Sequence, residues 1–142
     1  MTESRSRPYL RSLHPLHGLL LAFPIALFST GLASDIAYLN TSEMQWSNFA
    51  SWAIAGALVF SAPVVVLAAL GLVRHRRPQA TLYFGLIAVM WIAGLINSFQ
   101  HSHDAWSSVG ALGLLLSILT TFLALVVGWI AFSYGRSREI VR

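Results

Sequence analysis

Four long apolar stretches, running from about Gly18 to Leu39, Asn48 to Val73, Ala80 to Phe99 and Val109 to Tyr134, constrain this chain more than any motif in it. Each is long enough for a helix to cross a hydrocarbon layer about 30 Å thick, which takes about 20 apolar residues. Only 10% of the 142 residues are charged and the mean hydropathy is +0.68. Globular domains carry about 25% charged residues, so a water-facing surface could not be built from this composition. The expected fold is all-α: a single four-span domain covering 1–142, arranged up-down-up-down because short loops favour antiparallel neighbours.

Orientation follows from the arginines, which make up all nine basic residues of a chain without lysine. Arg5, Arg7 and Arg11 precede the first span, Arg74, Arg76 and Arg77 separate the second from the third, and Arg136, Arg138 and Arg142 follow the fourth. The other two loops hold only Glu43 and Asp104 as charged residues. Basic loops stay inside, so both termini are expected in the cytoplasm of a bacterium, with the protein in its inner membrane. A cleaved leader ending near Gly31-Leu32-Ala33 is the competing reading. It would leave three spans, and a wrong span count would scatter the arginine groups. Tyr38, Trp46, Trp52 and Trp106 fall near the outer boundary, and Tyr83, Trp129 and Tyr134 near the inner one, as interfacial belts do.

Lipid gives helices no hydrophobic reason to associate, so close approach by small residues should carry the packing. The expected stripes are Ala22, Ala26, Thr30, Ala33 and Ala37 on span one, Ala53, Ala57 and Ser61 on span two, Gly94 and Ser98 on span three, and Gly113, Ser117, Thr121, Ala124 and Gly128 on span four. Pro24 and Pro63 fall inside spans and should bend them. Asn40–Ser47 and Gln100–Ser108 read as outer loops.

The absence of cysteine excludes disulfides, thiolate metal sites and cysteine nucleophiles. The net charge of +4 does not imply nucleic acid, because the arginines are not interleaved with stacking aromatics. No Ser/His/Asp grouping, phosphate loop or carboxylate pair is present, so an enzyme is the least favoured class. Three constellations remain. Asp35 lies about one turn inside the outer end of span one, where a carboxylate is a proton or cation site or an interfacial residue. Asn97, His101, His103 and Asp104 surround the third outer boundary. With Asp35 they form a candidate polar cluster, and the His-x-His pair with Asp104 has zinc- or copper-ligand chemistry. Near the inner surface His14, His17 and His75 form a candidate haem or metal set. The alternative is an amphipathic turn in the headgroups. His17 and Asp35 are about 27 Å apart along one helix, so the two clusters cannot share a site. Arg11, Arg74, Arg76, Arg77, Arg136 and Arg138 suit contacts with anionic headgroups.

The string HPLHGLLLAFPIALF at 14–28 resembles the opening motif of the bacterial membrane proteins grouped as Domain of Unknown Function 2231. Asp35-Ile36-Ala37-Tyr38 is similar to that family's D-x-x-Y at the end of span one. The resemblance implies four spans over nearly the whole chain, draws attention to His14, His17, Pro24 and Asp35, and implies an association with membrane redox chemistry. The chain departs from the pattern at GLVRHRRPQATLYFG, where Gln79 stands near the place of a histidine that opens span three. The leading expectation is an accessory or interaction subunit whose partner is another membrane protein, a redox protein or a second copy of the chain. The rivals are a haem- or metal-binding electron-transfer protein and a proton- or cation-coupled transporter centred on Asp35.

Overall fold

The computed structural model describes residues 15–103 and 109–136. These form four helices: α1 (Pro15–Thr41), α2 (Met44–His75), α3 (Pro78–His101) and α4 (Ala111–Arg136). All four are long and apolar enough to cross a membrane. Even α3, with 24 residues, reaches about 36 Å at the helical rise.

The first three helices run further than the hydropathy pattern predicts, and α4 is shifted two residues along the chain from the expected Val109–Tyr134. The expected loop from Asn40 to Ser47 shrinks to Ser42 and Glu43. Asn40 and Thr41 turn their side chains back to accept a place on the helix, donating to the carbonyls of Ile36 and Ala37 at 2.8 Å. Ser42 then takes a left-handed φ of 58° and its N–H closes on Tyr38 O. At the next junction Arg76, with φ 37°, caps α2 through its N–H on Leu72 O. Arg77 is extended, as a residue before proline must be, and Pro78 opens α3 where a missing N–H costs nothing. The loop expected from Gln100 begins later as well, because α3 continues through His101.

In the bundle α1 packs on α2 and α4, and α3 packs on the same two, leaving α1 opposite α3 across a diagonal. Side chains still meet across it at three levels. His17 bonds Tyr83, Phe28 lies against Gly94, and Asp35 bonds His101. Each pair is separated by the same 66 residues, so α1 and α3 share one register along the bundle. The middle level needs its glycine: a Cβ on Gly94 would stand 2.8 Å from Phe28 Cζ and 3.1 Å from Leu58 Cδ2. Around it lies an apolar layer of Leu21, Ile54, Ile87, Met90 and Val127.

The buried faces of α2 and α4 include the expected Ala53, Ala57 and Ser61 and Gly113, Ser117, Thr121, Ala124 and Gly128. Gly94 is also buried, while Ser98 is half-buried. The stripe expected on α1 is a misassignment. Ala22, Ala26, Thr30 and Ala33 are exposed and Ala37 is only half-buried, whereas Leu21, Pro24, Phe28, Gly31, Ser34 and Asp35 face the core. Both faces of α1 offer small residues. Only one keeps an ionisable side chain out of lipid, and that face turns inward.

Candidate functional site: a buried Asp–His pair beneath an open pocket

Asp35 sits on the inward face of α1 with no exposed surface. A carboxylate there must find donors, and the neighbouring helices supply two. From α3, His101 Nε2 lies 2.8 Å from Asp35 Oδ1; both side chains are fully buried. From α4, Ser117 donates its hydroxyl to Asp35 Oδ2. Asn97, one turn before His101 on α3, donates its side-chain amide to Ser117 Oγ at 2.9 Å. Its backbone carbonyl accepts from His101 Nδ1 at 3.0 Å.

These contacts form a ring with one direction. A backbone carbonyl only accepts, so Nδ1 carries a hydrogen. Asn97 donates to Ser117 and Ser117 donates to Asp35. A single further proton lies between Nε2 and Oδ1, whether the pair is written as imidazolium and carboxylate or as two neutral groups. Either way the pair is neutral overall, which suits a dry interior. One atom is left over: Asn97 Oδ1 is buried and has no partner.

Above the ring, an open cavity of about 350 Å³ lies between the first turns of α2 and the end of α3. It is lined by Met44, Gln45, Ser47, Asn48, Ser51, His101 and His103. His101 therefore stands between the two: its fully buried side chain is bonded to Asp35, and the residue borders the cavity.

Of the outer residues named from the sequence, Asp35, Asn97 and His101 come together. His103 is exposed beside the cavity, and Asp104 lies outside the described residues. Both ring nitrogens of His101 are engaged, so it could serve a metal only by giving up one of these bonds. Among the described residues no three His, Cys, Asp or Glu side chains are grouped to hold a metal. At the other end His17 Nε2 lies 3.0 Å from the Tyr83 hydroxyl. His14 and the side chain of His75 lie outside the described residues, so the inner histidine set is represented by His17 alone. Arg74, Arg76 and Arg77 are exposed around the α2–α3 turn. Arg11, Arg138 and the side chain of Arg136 are outside the described part.

The sequence reading missed Ser117 and Tyr83 as site residues. Ser117 entered only as a small packing residue, although a hydroxyl in an apolar span is a usual interhelical bond donor. Tyr83 entered only as an interfacial aromatic.

No curated protein and no solved structure matches the chain. A family model described as "Predicted membrane protein (DUF2231)" matches residues 13–134. That span holds all four helices but the last two residues of α4, together with the whole Asp35–His101–Ser117–Asn97 ring, and the chain belongs to this family of membrane proteins.

Proposed function

We propose that this protein is a small multi-pass accessory subunit of the bacterial inner membrane, engaging its partner at the outer end of the bundle. The observation that carries this reading is the buried Asp35–His101 pair, with His101 bordering an open polar cavity. Cavities of this size with a few convergent polar groups are the usual places of recognition. Between this end and the His17–Tyr83 pair lies the closed layer of Leu21, Phe28, Ile54, Ile87 and Met90. The buried hydroxyls at mid-bundle bond to backbone carbonyls, Ser61 to Ala57 and Thr121 to Phe28. A conducted proton would need several polar stations in that layer, so a one-sided site fits better than a transporter.

The constant register of α1 and α3 supports an up-down-up-down course, and the segregated arginines support cytoplasmic termini. Exposed Arg74, Arg76 and Arg77 suit anionic headgroups on that side. The redox association implied by the family resemblance makes a membrane redox protein the partner class to examine first.

The test is photo-crosslinking in native membranes. A photoreactive residue at His103 is expected to give a discrete protein adduct. The same residue at Val59, which is 69% exposed on the flank of α2, is expected to give lipid adducts. The same adducts from both positions would overturn the proposal.

A further inference from the structure

The hydrogen-bond ring contains an acceptor that its present direction cannot use. Asn97 Oδ1 is buried without a partner, while its amide nitrogen donates to Ser117. A half-turn of that amide would exchange the two atoms, and Ser117, whose hydroxyl can donate or accept, could then donate to Asn97 Oδ1. Asp35 Oδ2 would lose its donor in that arrangement unless it carried a proton of its own. The ring thus closes in two directions that differ by one proton, each leaving one half of the Asn97 amide without a partner: Oδ1 in the first, the amide nitrogen in the second.

We propose that Asp35, Ser117 and Asn97, with His101, form a binding site for one exchangeable proton, supplied from the outer cavity. A hydronium ion in the cavity gives up one proton and leaves as water. An O–H bond forms at Asp35 Oδ2, the Asp35 acid donates to Ser117, Ser117 donates to Asn97 Oδ1, and the net charge of the group rises by one. No other atom is transferred. His101 borders the cavity and its buried side chain holds Asp35, so one residue separates the cavity from the carboxylate. The apolar layer around Phe28 closes the route beyond.

The titratable groups around the site are few. Asp35 comes from α1, His101 from the last turn of α3, and His103 from the segment that follows it. The α2 residues lining the cavity, Met44, Gln45, Ser47, Asn48 and Ser51, include none, and α4 contributes Ser117. Glu43 precedes the first turn of α2, and Asp104 follows His103 outside the described residues. The inference rests on the cavity being the working end of the protein. It does not require a protein partner, so its test is independent of the crosslinking one.

The experiment is pH-difference infrared spectroscopy of the full chain in lipid nanodiscs, from about pH 8 to about pH 4, a range that spans ordinary His and carboxylate titration. A protonated-carboxyl band is expected that shifts in deuterium oxide, persists when Glu3, Glu43, Asp104 and Glu139 are together replaced by Gln or Asn, and is lost when Asp35→Asn is added to that chain. Ser117→Ala should keep the band but move its frequency, because the acid loses its acceptor. A His103→Cys chain, labelled after folding with a bulky maleimide, should show band formation slowed at least tenfold after a pH jump. A band that survives in Asp35→Asn, one unmoved by Ser117→Ala, or a rate untouched by the label would each overturn the proposal. Should Asp35→Asn fail to fold, the other two measurements still decide.

Discussion

At the scale of single residues, Asp35 determines the most. Three helices meet at its carboxylate, and its two oxygens are each bonded. Asp35→Leu would leave His101 Nε2 and Ser117 Oγ buried without an acceptor. Removing one member of a buried pair costs about 3–5 kcal/mol, and that loss is expected in thermal or denaturant unfolding in detergent. Asp35→Asn keeps an acceptor oxygen and should lose less; equal losses for the two would mean the carboxylate is not bonded in the bundle. Gly94 governs the level below. A methyl there meets the Phe28 ring at 2.8 Å, and Phe28 is only 1% exposed and has nowhere to turn. Gly94→Ala should destabilise by about 1–3 kcal/mol, the usual cost of overpacking. Adding Phe28→Leu should recover part of that loss, and additive effects in the double variant would show the two residues to be independent.

At the scale of elements, α1 shows why apolar content does not orient a membrane helix. In water the hydrophobic face turns inward, but in lipid both faces are equally apolar. The alanine stripe of α1 was therefore no better a candidate than the opposite face. Asp35 was the better guide: counting back in steps of four and three gives Gly31, Phe28, Pro24 and Leu21, which is the buried face. Ala26→Leu on the exposed face should change stability by no more than about 0.5 kcal/mol. Ala57→Leu, at a fully buried position of α2, should cost about 1–3 kcal/mol by overpacking. Unfolding of the two variants side by side checks the assignment, and the reverse ranking would place the wrong face of α1 in the core.

At the scale of the whole molecule, the proposed orientation predicts which turns face which compartment. A single cysteine at Ser42, in the α1–α2 turn, should react with an impermeant thiol reagent in intact cells. One at Gln79, at the start of α3, should react only after lysis, and the cysteine-free background makes the result clean. Equal labelling of both would refute the orientation. The sequence by itself determined the number of spans, their order and the family, because span length and span polarity are local properties that a bilayer imposes on each segment separately. The near approach of Asp35, Asn97 and His101 was also legible, since ionisable groups at equal depth in one membrane have few other partners. The register of α1 against α3, the inward face of α1, and the choice of Ser117 and Tyr83 as bonding partners came only from the tertiary structure. Those depend on how bulky and small side chains from different helices interlock, as Phe28 does over Gly94, and no single segment carries that information.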